Sequence, residues 1–178
     1  VYPQTPYAWS KYLIDKFLKD NGIDQFNMLV QSFRYFNVYG PGEGHKGDQM
    51  SMVSKFQRQA SENGVIKLFK NSENYKRDVV CVYDLVRIHE EMMSVDESGI
   101  WNLGTAKATD IESIAKLVAE QNDAKIEYID MPDKLKNQYQ EYTCADNAKL
   151  HNTITIRHWI TVEEYIKEIV DGTNKTER

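Results

Sequence analysis

The chain has 178 residues and a formal net charge of −5, with 41% hydrophobic and 28% charged residues, a composition typical of a folded globular domain. This acidic balance argues against nucleic acid as a partner, because binding to a phosphate backbone depends on a basic face. No apolar run approaches the ~20 residues of a membrane span, so we expect no membrane association and a cytoplasmic location. Two distant cysteines and four histidines without metal-ligand spacing predict neither a zinc site nor a disulfide framework.

The first predicted element is a helix over residues 6–20. Thr5 is a suitable N-cap and Pro6 suits the first helical position, where a missing N–H costs nothing. Apolar side chains then recur at helical spacing until Asn21-Gly22, which provides a C-terminal stop. One amphipathic helix accounts for this segment.

Tyr7 and Lys11 lie four residues apart, on one face of this helix. A lysine cation beside a phenol favours the phenolate, which would let Tyr7 serve as a general acid/base. The alternative is that Lys11 pairs with Asp15 and that Tyr7 packs into a core. On the spacing alone, this structural alternative is favoured.

Residues 28–36 are rich in β-formers and mostly apolar on both faces, which predicts a strand buried in a parallel sheet. Residues 37–48 follow directly. Four glycines and a proline within nine residues from Gly40 predict a loop there. Because ligands bind outside the carboxyl ends of strands in open α/β sheets, we expect chemistry at this loop.

The remaining elements alternate between strands and helices, which indicates an α/β architecture. We predict strands over 65–69, 77–83, 100–103 and 125–129, a turn over 71–74, and helices over 50–61, 84–93, 109–121 and 161–171. The last two helices are expected to open with capping boxes. Residues 133–156 are polar and have no clear assignment. No glycine-rich phosphate motif follows a leading strand, so we expect the chain to be the C-terminal part of a larger dinucleotide-binding fold.

Four stretches, in order and at the expected spacing, resemble the landmarks of the extended short-chain dehydrogenase/reductases that act on nucleotide sugars. They are Tyr7-x-x-x-Lys11 and residues 33–41, 77–84 and 102–104. Within that group, residues 43–47 (EGHKG), 68–78 and 132–140 resemble the ADP-L-glycero-D-manno-heptose 6-epimerases of lipopolysaccharide core synthesis. The resemblance runs to about residue 146 and covers roughly the C-terminal half of such an enzyme.

This resemblance implies the C-terminal part of a Rossmann-type doubly wound fold plus a small α+β substrate-binding domain. Residues 1–40 and 78–104 would be the remnant of the dinucleotide-binding domain. Residues 41–77 and 105–178 would form the nucleotide-sugar domain. The full-length enzyme is expected to be a homo-oligomer.

The resemblance also implies NADP as cofactor and epimerisation by hydride removal at C6 of the sugar and hydride return to the opposite face. Tyr7 and Lys46 match the two acid/base residues of such an inversion. Lys11, Val38 and Lys46 match cofactor contacts. The alternative for Lys46 is a solvated surface lysine, the usual state of a lysine in a loop.

The substrate contacts are implied in the same way. Asn37 matches a sugar contact, Arg77 the pyrophosphate contact and Tyr139 a further substrate contact, while the nucleotide pocket would be lined by Phe69, Lys70, Asn71 and Ser72. An ion pair of Arg77 with Asp78 or Glu73 has comparable weight. The alternative for Tyr139 is packing within the small domain.

Two positions depart from the family pattern. Asp48 stands where the family usually carries serine, and a substrate-contacting histidine of the next helix is absent, with Lys55 or Phe56 nearest. Both departures leave a sibling function open, a nucleotide-sugar 4-epimerase or a dehydratase. A non-catalytic fragment that only binds nucleotide sugar is a third possibility.

Overall fold

A computed structural model describes residues 3, 5–136 and 139–170 of the chain. Strands and helices alternate along it, and most strand pairs are parallel, so the predicted α/β class is confirmed. The strands are β1 Gln31–Tyr35, β2 Asn37–Tyr39, β3 Val65–Phe69, β4 Lys76–Cys81, β5 Gly99–Leu103, β6 Ala108–Asp110, β7 Lys125–Ile129 and β8 Tyr142–Thr143. The α-helices are α1 Pro6–Asp20, α2 Met52–Asn63, α3 Val82–Met92, α4 Ile111–Gln121, α5 Asp133–Lys136, α6 Ala148–Thr153 and α7 Val162–Glu164. A π-helix, Tyr165–Val170, continues α7.

The strands form three hydrogen-bonded groups. β1 pairs with β5 and β3 pairs with β7, both in parallel. β4 is the centre of the third group, where it pairs in parallel with β2 and β8 and antiparallel with β6. In the described ranges, no helix is long and apolar enough to cross a membrane.

Helix α1 has the predicted bounds. The Thr5 hydroxyl accepts a hydrogen bond from the Ala8 N–H at 3.1 Å, and Pro6 occupies the first turn. The helix buries none of its side chains, and Asp15 near its centre pairs with Arg34 of β1 at 2.7 Å. This ion pair ties α1 to the first strand.

The prediction of one strand over residues 28–36 followed directly by a loop is wrong. The strand β1 is shorter, with its last two residues exposed, and the chain forms a second strand, β2, immediately after Phe36. Tyr39 at the end of β2 is 1% exposed and donates its hydroxyl to the Ile160 carbonyl at 2.9 Å. Pairing with β4 and burial of Tyr39 therefore override the loop tendency of the neighbouring glycines.

The predicted capping box at the start of α4 is also wrong. Thr109 lies in β6, opposite Arg77, and Asp110 caps the helix by accepting from the Ser113 N–H at 2.7 Å. The box at the start of α7 is confirmed, with Thr161 and Glu164 exchanging side-chain and backbone hydrogen bonds.

Two hydrophobic clusters lie on opposite sides of the β2–β4 pair. One packs α2 and α4 onto β3, with Val53, Ile66, Ile114, Ala115 and Val118 fully buried. The other packs α3 and α6 onto β5, with Ile88, Met92, Trp101, Leu103 and Leu150 at its centre. These clusters do not test the expected domain limits, residues 1–40 with 78–104 and residues 41–77 with 105–178, which stay a prediction.

Asp78 of β4 is a fully buried carboxylate at the junction of three segments. Its oxygens accept four hydrogen bonds of 2.7–3.0 Å, from Thr105 N and Oγ1, Ala106 N and Ala145 N. The Ala106 backbone is left-handed, with φ 59°, a conformation that costs a non-glycine residue about 1–2 kcal/mol. The hydrogen bond from the Ala106 N–H to Asp78 offsets this cost, because burying a charge is unfavourable unless the charge is hydrogen-bonded.

Replacing Gly104 by alanine should destabilise this junction. A Cβ at residue 104 would lie 2.7 Å from Asp78 Oδ2 and 2.8 Å from Ala145 Cβ. We expect a loss of about 1–3 kcal/mol in the free energy of unfolding, measured by urea denaturation. Gly44→Ala is the matched control, since a Cβ there meets no atom within 4 Å and should change stability by less than about 0.5 kcal/mol. Equal losses in the two variants would contradict the crowding argument.

Candidate functional site

Tyr7 and Lys11 form a pair on one exposed face of α1. The Lys11 Nζ lies 5.2 Å from the centroid of the Tyr7 ring, and Tyr7 is 73% exposed. Asp15, which the structural alternative paired with Lys11, is bound by Arg34 Nε at 2.7 Å. Neither part of that alternative is therefore observed, because Tyr7 lies outside the core and Asp15 pairs with Arg34 of β1.

A cavity of about 280 Å³ lies behind the glycine-rich loop, and we call it the loop cavity. Three of the predicted site residues, Asn37, Val38 and Lys46, line it together. The remaining lining residues are Tyr39, Glu43, Gln49, Met50, Ser51, Met52, Val53 and Val79. The Asn37 amide nitrogen donates to the Asp78 carbonyl at 2.9 Å, which fixes the side chain at the start of β2.

A second cavity, of about 430 Å³, lies between α2, β3 and the segment after α5, and we call it the aromatic cavity. It is lined by three predicted nucleotide and substrate contacts, Phe69, Ser72 and Tyr139, and by the ring of Tyr75. Met50 and Met52 line both cavities, so the aromatic and loop cavities are neighbours. Together they offer room for an elongated ligand with a planar group at one end.

The aromatic rings of this cavity pack edge to face. Tyr139 lies 4.9 Å from Tyr75 and 6.3 Å from Phe69 between ring centroids, with interplanar angles of 83° and 87°. Burial raises the pKa of Tyr139, so its hydroxyl stays neutral. Tyr139 therefore packs against Tyr75 and Phe69 and also lines the cavity, where a planar base could stack or pack edge-on.

Arg77 is buried and lines neither cavity, but it contacts Tyr139, which lines the aromatic cavity. Among the described residues it has no carboxylate partner. Its guanidinium donates to the Lys76 carbonyl at 2.9 Å and to the Gln140 carbonyl, and lies 5.2 Å from the Tyr139 ring centroid. Burial lowers the pKa of Arg77, and the neighbouring Tyr139 opposes this. The ion pair with Asp78 or Glu73 is not formed, because the Asp78 carboxylate is occupied by its four other donors. Arg77 thus retains donors for an anion.

Two predicted contacts point elsewhere. Lys70 Nζ pairs with Asp130 at 2.9 Å, on the surface. Asn71 has a left-handed backbone, with φ 61°, and precedes a single 3₁₀ turn. Neither residue is among those that line the aromatic cavity, and Tyr7 and Lys11 line neither cavity.

Both departures from the family pattern have a place. Asp48 is exposed and does not line the loop cavity, so its charge does not face the cavity that Lys46 lines. Lys55 does line the aromatic cavity, on the same side as Phe56. A cation therefore stands where the pattern has a histidine.

Glu43, which no sequence pattern singled out as a site residue, is 8% exposed and lies at the centre of the loop's hydrogen bonds. Its carboxylate accepts from Ser51 and Ser54 at 2.7–2.8 Å and pairs with Lys46 at 3.3 Å. Burial raises the pKa of Glu43, but these hydrogen bonds and the Lys46 charge outweigh it, so the pKa is lowered overall. The signal available in sequence was an acidic residue within a glycine-rich turn, three residues before a lysine.

Ser72 is the other residue whose state the sequence did not indicate. It is 2% exposed and lines the aromatic cavity, and within the described part of the chain its hydroxyl has no hydrogen-bond partner. Buried hydroxyls are normally bonded, and one that faces a cavity is available to a ligand.

Comparison with known proteins extends these findings. The sequence profile of the NAD dependent epimerase/dehydratase family matches residues 1–104. Among solved structures, the Helicobacter pylori ADP-L-glycero-D-manno-heptose-6-epimerase superposes with a TM-score of 0.83 at 27% identity, over 97% of this chain and 52% of that one. A Thermotoga maritima UDP-glucose 4-epimerase gives 0.82 at 24% identity, over 99% and 56%. An NDP-hexosamine 5,6-dehydratase of tunicamycin biosynthesis gives 0.81 at 20% identity, over 98% and 55%.

The chain therefore spans about half the length of these solved structures. The latter two show the fold alone. They confirm the predicted fold class, a large part of a Rossmann-type epimerase fold.

Removing the Ser72 hydroxyl should cost the free protein little. In Ser72→Ala, we expect the free energy of unfolding to stay within about 0.5 kcal/mol of wild type or to rise, because no protein hydrogen bond is lost. Ser54→Ala is the matched control. Its hydroxyl donates to Glu43 at 2.7 Å, so its removal should lower stability by about 1 kcal/mol. Urea denaturation compares the two, and a larger loss in Ser72→Ala than in Ser54→Ala would show that Ser72 is a structural hydroxyl.

Proposed function

The chain belongs to the NAD dependent epimerase/dehydratase family, and we propose that it provides the carboxyl-terminal part of an NADP-dependent epimerase that inverts C6 of an ADP-glycero-manno-heptose. We use "full-length enzyme" for this chain joined to a complete dinucleotide-binding half. The proposal includes a cytoplasmic location and a homo-oligomeric state. Exposed apolar side chains on α1, Leu13, Ile14 and Phe17 among them, support a covered face in that assembly.

The observation that carries the proposal is the adjacency of the loop cavity and the aromatic cavity. A nucleotide sugar is an elongated molecule with a planar base, two phosphates and a polar sugar. The aromatic cavity suits the base, and the buried Arg77, with no carboxylate partner in the described ranges, suits the pyrophosphate. The sugar would then enter the loop cavity, where Asn37 and Lys46 supply polar groups.

The residues present fit the reacting end of a nicotinamide cofactor. The face of α1 offers a phenol and an ammonium side by side at Tyr7 and Lys11, and Val38 gives the loop cavity an apolar wall beside Lys46. Lys11, Val38 and Lys46 would contact the cofactor. When bound, it supplies a hydride acceptor and donor for the sugar carbon.

The protein's own groups handle the protons. Oxidation of a carbinol releases a hydroxyl proton, and reduction of the resulting ketone on its other face needs a proton at the carbonyl oxygen. Tyr7 and Lys46 would take these two roles, one on each side of the carbon. Lys11 Nζ lies 5.2 Å from the Tyr7 ring centroid, and Lys46 lines the loop cavity.

One feature supports the heptose substrate over other nucleotide sugars, the EGHKG stretch of the loop. The fold does not discriminate, because the heptose epimerase and the UDP-glucose 4-epimerase superpose equally well, with TM-scores of 0.83 and 0.82. The competing candidate is a 4-epimerase or a dehydratase of the same family. Lys55 favours it, because this lysine lines the aromatic cavity where the heptose-epimerase pattern has a histidine. Binding of nucleotide sugar without catalysis is the remaining possibility for the chain by itself.

Tyr7→Phe and Lys46→Met should each abolish most epimerisation by the full-length enzyme. Each change removes one proton-transfer group, and such groups contribute about 10²–10⁴-fold to the rate. Turnover of ADP-heptose, followed by NMR of the sugar, measures the loss. Tyr12→Phe on α1 and Lys107→Met in the β5–β6 turn are matched controls and should retain activity. A Lys46→Met enzyme at near wild-type rate would contradict the two-residue assignment.

Epimerisation in D₂O should leave C6 of the product without deuterium. In the proposed reaction the hydrogen of C6 leaves and returns as hydride, and solvent protons reach only the oxygen. Mass spectrometry of the product sugar detects the label, with an isomerase that acts by carbon deprotonation as the positive control. Deuterium at C6 in proportion to turnover would exclude the hydride route.

A separate substrate assay distinguishes the competing candidate. Turnover of UDP-glucose in place of ADP-heptose would favour the 4-epimerase.

A further inference from the structure

We propose that Glu43 is a positioning residue that fixes the Lys46 ammonium at the edge of the loop cavity. This inference rests on the proposed catalytic role of Lys46. It concerns one carboxylate and its four donors: Ser51 Oγ and Ser54 Oγ on Oε1, and Ser51 N and Lys46 Nζ on Oε2.

The carboxylate joins a loop to the rigid end of a helix. Ser51 is the N-cap of α2, where its hydroxyl also accepts from the Ser54 N–H at 3.2 Å. The Glu43 carboxylate accepts hydrogen bonds from the Ser51 backbone N–H at 2.8 Å and from the Ser51 hydroxyl at 2.7 Å. The loop that precedes Lys46 is therefore anchored to the first turn of α2.

Lys46 needs such an anchor. Its side chain is 44% exposed and carries about 2 kcal/mol of rotamer entropy, and the following Gly47 has a left-handed φ of 53°. The Lys46 N–H donates to the Glu43 carbonyl at 2.9 Å, and its Nζ meets the Glu43 carboxylate at 3.3 Å. Backbone and side chain of Lys46 are thus both held by one residue.

Glu43 is also in the right charge state for this task. Its carboxylate accepts from a backbone N–H and from the Lys46 ammonium, which can only donate, and this arrangement favours the ionised form. The lowered pKa keeps it ionised at neutral pH. In Glu43→Gln the amide can turn its NH₂ group to the serine hydroxyls, which also accept, and its oxygen to the Ser51 N–H. The loop anchor is then kept, while the negative charge that holds the Lys46 ammonium is lost, so Glu43→Gln should release Lys46.

The first test reads the Glu43–Lys46 contact directly in the 178-residue chain. Lysines are labelled by reductive ¹³C-methylation, and the Lys46 resonance is identified by its loss in Lys46→Arg. On acidification this resonance should shift as Glu43 takes up a proton. Asp48 and His45 are the other titratable groups of the loop, so the Glu43→Gln chain separates their effect. The acid-range shift should be lost in Glu43→Gln and retained in Ser54→Ala, which loosens the carboxylate without touching Lys46.

The second test measures kcat and KM for the same variants in the full-length enzyme. Displacing a reacting group by about 1 Å can cost on the order of 10²-fold in rate. We expect Glu43→Gln to lower kcat by about that factor with a smaller change in KM, and Ser54→Ala to keep kcat within about threefold, less than the cost of a misplaced reacting group. Glu43→Asp, which keeps the charge, should recover part of kcat.

The outcomes separate the two proposals. The positioning role would be overturned if the acid-range shift of the Lys46 resonance persisted in Glu43→Gln. It would also be overturned if Glu43→Gln and Ser54→Ala lost kcat equally. Full activity in Lys46→Met, with the resonance still dependent on Glu43, would instead overturn the catalytic assignment of Lys46.

Discussion

The buried carboxylate of Asp78 is the constraint on which the arrangement of this protein depends. It accepts hydrogen bonds from the turn after β5 and from Ala145, three residues before α6. Removing one partner from a buried charge costs several kcal/mol, so these segments must stay together. Gly104 is required beside it because a Cβ would meet the carboxylate.

This contact also sets the site. Neighbouring residues of a strand point to opposite faces, so burial of Asp78 on one face directs Arg77 to the other, against Tyr139. The Asp78 carbonyl in turn accepts from Asn37, which lines the loop cavity. Residues 77–84 and 102–104, two stretches that resemble a family separately, thus meet at the Asp78 carboxylate. The strand that carries Asp78 reaches the loop cavity through Val79, and Tyr75, directly before this strand, lines the aromatic cavity.

Local patterns were sufficient for much of the fold. The Thr5 cap and Pro6 fixed the start of α1, and Gly64 ends α2 in the left-handed conformation expected of it. The segment 133–156 could not be assigned, because long-range hydrogen bonds order it, such as that from Trp101 to Thr153 at 3.0 Å. For the site, the resemblance to a family identified Asn37, Val38 and Lys46 as candidates. The roles of Glu43 and Ser72 depend on burial and on distant partners, which no local pattern reveals.

A crystal structure of the full-length enzyme with its nucleotide sugar bound would test the proposed site most directly. We expect the base in the aromatic cavity, the pyrophosphate on Arg77, and the sugar in the loop cavity. Tyr7 Oη and Lys46 Nζ should approach the C6 oxygen from opposite sides, each within about 2.6–3.2 Å when correctly placed for proton transfer. A sugar that contacts both groups on the same side, or that lies away from Lys46, would contradict the proposed site.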